Sequence, residues 1–510
     1  MSSPALTSTH LLQLAGTKSP PPPPQPSQNQ NRSLHPNLYP IPKSNKPLDL
    51  TVAWTSSISH HCRRGQLREA ASKFTQMRLS GVEPNHVTLI TLLSACSAFP
   101  SDGESFGPLI HAYARKLGFD ILDVMVGTAL VDMYAKCGQV EKARLCFDAL
   151  KVRNSVSWNT MVDGYMRNGE IECAIELFDE MPKRDAISWT VFIDGFVKKG
   201  HFEEGLELFR EMQISKLQPD YVTIIVVISA CANLGALGLG MWIHRYILKQ
   251  DFRNNVRVSN SLIDMYSRCG CIELAHQVFL KMSKRTLVSW NSMIVSFASN
   301  GFAEQCLEYF ELMQKEFEPD GVSFTGALTA CSHAGFVEEG LRYFDLMKRK
   351  HKISPRIEHY GCLVDLYSRA GRLEDAFSVV QNMTMKPNEV VLGSLLAACS
   401  VHGDIELAER LSNYISHLDP FDDSNFVLLS NVYAGEGRWD GASKVRRRMK
   451  ALGIQKKPGI SSIEIECGVH EFAAGDKSHV ESDHVYEMLD LLSYHLKLCG
   501  YVPADVYEYD

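Results

Sequence analysis

A glycine returns at one register through nearly the whole chain, as Gly65, Gly138, Gly169, Gly200, Gly235, Gly270, Gly301, Gly335, Gly371, Gly403 and Gly437. Apart from one double-length gap, successive members stand 31 to 36 residues apart. Twelve residues later a methionine keeps the same beat, as Met77, Met181, Met212, Met282, Met313, Met347, Met383 and Met449. Self-similarity at this period marks a solenoid of stacked helical hairpins, because one hairpin cannot bury its apolar face alone. The 73-residue gap from Gly65 to Gly138 hides one further unit, in which Pro100 takes the glycine's place.

Residues 186–220 serve as a specimen unit. Ile187, Trp189, Ile193 and Phe196 mark a first helix, which Gly200 ends by allowing a left-handed cap. Phe202, Leu206, Phe209 and Met212 form the apolar stripe of a second helix. Pro219 breaks that helix, and Asp220 stands at the junction to the next hairpin. The expected fold is therefore all-α, a right-handed α-solenoid superhelix of stacked helix-turn-helix repeats.

Composition limits the functional classes. A net charge of -7 and a pI near 6.2 give no global attraction to polyanions, so any nucleic-acid role must rest on a local surface. Fourteen cysteines without a CxxC pair suggest reduced core thiols. No apolar run reaches the roughly 18 residues of a membrane span. Residues 1–48 contain no Asp or Glu, carry Lys18, Arg32, Lys43 and Lys46, and include seven serines and the run Pro20 to Pro24. A Ser-rich, acid-free leader fits an organellar transit peptide better than a plain disordered tail.

The units lack the W-x-x-L-G-x-x-Y signature of tetratricopeptide repeats. They carry VAWT at 52–55, VSWN at 156–159, ISWT at 187–190 and VSWN at 288–291, with Asn85, Asp185, Asp220 and Asp320 closing those units. Units of 31 residues alternate with longer ones. The long-type strings are LLSACSA, VISACANLGALGLGMWIH and ALTACSHAGFVEEG; the short-type strings are LVDMYAKCG, LIDMYSRCG and LVDLYSRAG. This pattern resembles the pentatricopeptide repeat family in its plant form with long and short repeats, over about residues 51–510. The resemblance divides the chain into ten repeats within 51–388: 51–85, 86–123, 124–154, 155–185, 186–220, 221–255, 256–286, 287–320, 321–356 and 357–388. Degenerate E-type hairpins follow at about 389–422 and 423–456. An E+ tail at 457–510 ends in an amphipathic helix near VYEMLDLLSYHLKLCGYVP.

Such repeats read single-stranded RNA one base per hairpin with two or three side chains. The resemblance places that role on the residue after the first-helix aromatic position and on the last residue of each repeat. The pairs are Thr55/Asn85, Ile90/Asp123, Thr128/Asn154, Asn159/Asp185, Thr190/Asp220, Ile225/Asn255, Asn260/Thr286, Asn291/Asp320, Thr325/Arg356 and Gly361/Asn388. Short polar side chains supply donors and acceptors for a base edge, and flanking aliphatics can sandwich the base. Ile90, Ile225 and Gly361 have no side-chain hydrogen bond to give, so those repeats are expected to be weakly specific. Helix capping uses the same residue types at the closing position and is the competing explanation. The tryptophans at 54, 158, 189 and 290 sit in the helix stripe and are expected to be core, not base-stacking platforms.

A zinc nucleobase deaminase needs H-x-E and P-C-x-x-C. His479-Val480-Glu481 matches the first element, but only Cys499 follows it. No catalytic residue, metal site or cofactor is therefore expected. The basic run KVRRRMKALGIQKK at 444–457 reads as a solvated helix face or as a phosphate contact.

The resemblance implies a site-recognition factor for C-to-U editing of plastid transcripts. In that reading the array binds organellar single-stranded RNA. The tail, with docking expected at Pro458 and Gly459, recruits in trans a DYW-type cytidine deaminase and multiple organellar RNA editing factor proteins. The implied compartment is the chloroplast, with the mitochondrion as alternative. A binding-only stability, splicing or translation factor is the second reading, and a tetratricopeptide-like scaffold the third.

Overall fold

The computed structural model describes residues 50–418, 423–454, 459–465, 468–473 and 476–499. The expected transit peptide, Pro458 and the last eleven residues lie outside this set. The described residues hold 26 α-helices, one short 3-10 turn and a single pair of strands. Helices come in antiparallel pairs, and each first helix packs on the first helix of the next pair. The result is an α-solenoid with a core running along its length.

Every register glycine lies in the left-handed region, with φ between +67° and +87°. At Gly270 nothing stands within 4 Å of where a Cβ would be, so backbone conformation and not crowding demands the glycine. The unit without one turns differently. Phe99 adopts φ -127°, and Pro100 starts the helix Pro100–Leu117 directly at its first position, where a missing N–H costs nothing.

The tryptophans pack inward. Trp158, Trp189 and Trp290 each meet a phenylalanine of the preceding second helix edge-to-face, with centroids 5.0, 5.1 and 5.0 Å from Phe147, Phe178 and Phe279. An arginine beside the repeat boundary completes each of these joints. The Nε atoms of Arg153, Arg184 and Arg285 donate to the carbonyls of Phe147, Phe178 and Phe279 at 3.1, 2.9 and 3.0 Å. Their guanidinium groups lie over the same rings, so one side chain closes the second helix and covers its aromatic. Buried thiols follow the same logic. Burial pushes Cys96, Cys231, Cys306, Cys331 and Cys399 up to about 12, leaving them protonated packing groups.

One assignment in the specimen repeat needs correction. Ile187, counted with the apolar core stripe, is 62% exposed. It stands three residues before Thr190, on the same face of the helix Ala186–Lys198, while Trp189, Ile193 and Phe196 face the core.

The tail adds an element absent from the all-helical sequence expectation. Strand β1 (Ile460–Ile465) pairs antiparallel with β2 (Gly468–Ala473), Ile465 opposite Gly468. The terminal helix spans Ser482–Leu498, beginning before the expected Val485. The hairpin is tied far back along the array. The carboxylate of Glu464 accepts from the backbone N–H groups of Gly238 and Leu239 at 2.9 and 3.2 Å. These open the helix Leu237–Lys249, whose own N-cap residue, Ala236, offers no side-chain acceptor.

Candidate nucleic-acid interface

The closing residue of each repeat is the N-cap of the next first helix. Oδ1 of Asn85, Asp220 and Asp320 accepts the backbone N–H of Thr88, Thr223 and Ser323 at 3.0, 2.8 and 2.9 Å. Asp123, Asn154, Asp185, Asn255, Thr286 and Asn388 cap in the same way. Arg356 does not; there the ring of His359 accepts its backbone N–H at 2.9 Å. Burial opposes ionisation of Asp185, but the backbone and hydroxyl hydrogen bonds from Ser188 outweigh it and hold the carboxyl below its usual range.

Capping brings the two expected residues of a repeat together, with a hydroxyl of the next repeat as the link. The Thr55 and Thr190 hydroxyls lie 2.7 and 2.6 Å from those of Thr88 and Thr223, which in turn donate to Asn85 and Asp220. At Asn291 the link is direct, with Nδ2 donating to Asp320 Oδ1 at 2.9 Å and Oδ1 accepting from Ser323 at 2.7 Å. The Oδ1 atoms of Asn159 and Asn260 are buried with no partner. A buried amide oxygen left unmatched costs about 1–3 kcal/mol. Other pairs are not joined in this way. Thr128 and Thr325 donate back to Val124 and Gly321 in their own helices, and Ile90, Ile225 and Gly361 contribute no polar side-chain atom.

Exposed apolar residues near the start of first helices stand beside these pairs: Val52, Val87, Met125, Val156, Ile187, Val222, Val288, Val322 and Val390. Sequence reasoning anticipated flanking aliphatics without assigning them. Their signal is an apolar residue three places before eight of the ten reading positions, out of phase with the core stripe; Arg257 and Glu358 stand there before Asn260 and Gly361. Val52 and Val87 line a cavity of about 460 Å³ with Thr55 and Asn85. Val288 and Val322 line one of about 710 Å³ with Asn291 and Asp320. A third, about 390 Å³, holds Gly361, Asn388 and Val390. Each is a slot between neighbouring repeats; the first two combine a valine from either repeat with a polar pair, whereas the third has Glu358 and Gly361 in the corresponding places.

Acid–base pairs lie one turn further along the same first helices. Lys136, Arg167, Lys198, Arg268 and Arg369 reach Asp132, Asp163, Asp194, Asp264 and Asp365 at 2.8, 2.6, 2.5, 3.1 and 2.9 Å. Among the described residues no group of three or more His, Cys, Asp or Glu side chains could hold a metal ion. The nitrogens of His470 and His479 are 2.9 Å apart, and His479 accepts the backbone N–H of Glu481. Of the two tail residues, Gly459 is exposed and Pro458 lies outside the described set.

Comparison with known proteins agrees with this architecture. The family model described as "PPR repeat family" matches residues 50–98, 153–186 and 184–233. The "PPR repeat" model matches 128–155, 258–287, 288–316, 322–351 and 358–386, and the "E motif" model matches 402–464. The chloroplastic pentatricopeptide repeat-containing protein At1g05750 of Arabidopsis thaliana is 62% identical over 456 residues, covering 89% of this chain and 91% of its own length. The chloroplastic protein ELI1 of the same plant is 44% identical over 453 residues, 88% of this chain and 71% of its own. Another Arabidopsis relative at 45% identity is longer, and the chain spans 54% of it. The crystal structure of maize PPR10 superimposes with a TM-score of 0.58 at 17% identity, over 80% of this chain and 59% of that one, a likeness of fold. The protein's compartment is the chloroplast, as for the two named chloroplastic relatives. Repeat register, solenoid architecture and relatives agree that the chain belongs to the pentatricopeptide repeat family.

Proposed function

We propose that the protein binds single-stranded plastid RNA sequence-specifically through the slots between its first helices, and so specifies sites of C-to-U editing. The observation that carries the reading is the slot between neighbouring repeats at Thr55/Asn85 and at Asn291/Asp320, each lined by a valine from either repeat and by a polar pair. A base is a flat apolar plate with a hydrogen-bonding edge, and such a slot matches both features.

In this reading repeats one to ten contact A, any base, A, U or C, G, any base, a pyrimidine, U or C, any base and any base. Three bases and the edited C follow. The chain itself performs no deamination. Its E-type region and tail, including Pro458 and Gly459, recruit a DYW-type cytidine deaminase and multiple organellar RNA editing factor proteins. The E motif match at 402–464 supports a recruiting role for this region.

Two measurements test the proposal. Gel shifts should show tighter binding to an RNA carrying that base order than to the same bases shuffled. Sequencing plastid cDNA from plants lacking the protein should reveal lost C-to-U conversions. Altered cleavage with editing intact would replace the editing role by RNA protection. Equal affinity for both RNAs would refute base reading.

A further inference from the structure

The five cations of the first helices, Lys136, Arg167, Lys198, Arg268 and Arg369, are each held by the aspartate one turn before them. We propose that these aspartates, Asp132, Asp163, Asp194, Asp264 and Asp365, act as internal counterions that restrain phosphate binding and thereby sharpen base discrimination. The proposal rests on the RNA-binding reading and gives a role to residues which that reading leaves unused.

Placement carries the argument. Each aspartate follows the reading position of its repeat by four residues, and its cation follows by four more. Reading residue, aspartate and cation therefore lie in line on one helix face. The slot at Asn291 and Asp320 is itself lined by Asp264 and Arg268, and the slot at Asn388 by Asp365. The pairs occupy this register in the third, fourth, fifth, seventh and tenth repeats, and Asp132 and Asp365 also accept the hydroxyls of Ser97 and Ser332 from the preceding repeat. Repeats two, six, eight and nine carry neither the aspartate nor a Lys or Arg at these places, and the first repeat keeps the cation alone. Arg63 lines its slot at the cation position, with Ser59 where the aspartate would stand.

A free cation meeting a phosphate releases salt ions and adds about 0.7 to the log–log salt slope of single-strand binding, whatever the sequence. A cation held by aspartate must first give up the carboxylate. Its phosphate contact then contributes fully only when base contacts already hold the strand in register. Sequence-blind affinity falls, and the base edges supply a larger share of what remains.

The test compares full-length wild type with Asp163→Asn/Asp194→Asn/Asp264→Asn. A control, Glu172→Gln/Glu207→Gln/Glu211→Gln, makes the same charge change on exposed second-helix positions. Affinities are measured at several salt concentrations for an RNA with the expected base order and for a U-only RNA of equal length. The aspartate variant should bind U-only RNA about tenfold tighter, with a salt slope steeper by up to about 0.7 per released cation. Its preference for the ordered RNA should shrink, and the control should resemble wild type. The single variant Asp163→Asn, which loses one surface pair, should show a smaller effect of the same sign if the triple variant folds poorly. Wild-type slopes in both aspartate variants, or equal gains in the control, would overturn the proposal. A wild-type protein that binds neither RNA would refute the RNA-binding reading itself.

Discussion

The Asn291 amide donates to the carboxylate of Asp320, the closing residue of its own repeat, at 2.9 Å. Through the same Oδ1, Asp320 accepts the backbone N–H of Ser323 at 2.9 Å. Capping is done by one carboxylate oxygen, which leaves Oδ2 for a ligand. Helix capping and base reading, treated as rivals from sequence alone, are therefore compatible in one side chain.

Asp320→Asn separates the two. Its Oδ1 still caps, so the melting temperature should change little, whereas Asp320→Ala should cost about 1 kcal/mol of stability. The Asn variant places an N–H₂ donor where the carboxylate offered an acceptor. Its discrimination at the eighth base should change by about 1 kcal/mol, the scale of one hydrogen bond. Circular dichroism melts and affinities on four RNAs differing at that base are the measurements. An unchanged preference would confine Asp320 to capping.

Thr190→Asn probes the fifth base. The Thr190 hydroxyl is engaged with the Ala186 carbonyl at 2.8 Å and with Thr223 at 2.6 Å. In the eighth repeat, an asparagine at this position takes its hydrogen bond from Ser323; Thr223 can serve the substituted side chain in the same way. The substitution should move the preferred base from G toward U, with the wrong base costing on the order of 1 kcal/mol. Failure of the four-RNA affinity series to shift would leave Thr190 a packing residue.

Much of this was legible from periodicity. The glycine beat gave the hairpins because a left-handed turn leaves a residue-type signature, and Trp189 followed the core stripe. Ile187 misled because residue type alone cannot say which face of a helix is lined by a ligand slot. The β-hairpin escaped because Ile460, Ile463 and Ile465 form too short a pattern to outweigh a helical context. Its contact at Gly238 joins residues 226 apart, which no local signal reports. Acid–base spacing of four residues is common on exposed helix faces, so only the slot geometry sets Asp264 and Arg268 beside Asn291.

Gly270→Ala tests the beat itself. With φ +74° and open space around the missing Cβ, the cost is purely conformational, about 1–2 kcal/mol. Thermal melts should show that loss, and RNA affinity at low temperature should stay near wild type. A larger loss, or reduced helicity across the array, would mean that the turn also sets the stacking of neighbouring repeats.

The tail prediction follows from Glu464. Its carboxylate caps the helix Leu237–Lys249 from outside the repeat, at backbone donors that Ala236 cannot serve, where a negative charge is also favoured by the helix dipole. Glu464→Gln keeps one acceptor and removes the charge, so it should loosen the hairpin without disturbing the slots. Limited proteolysis should then cut within 457–510 faster than in wild type, while RNA affinity holds. Deleting 457–510 should likewise leave affinity within about tenfold, or roughly 1.4 kcal/mol, yet abolish editing when plants lacking the protein are complemented. Gel shifts on the truncated protein beside plastid cDNA sequencing distinguish the outcomes. An affinity loss beyond tenfold would make the tail part of the RNA site, and retained editing would remove its recruiting role.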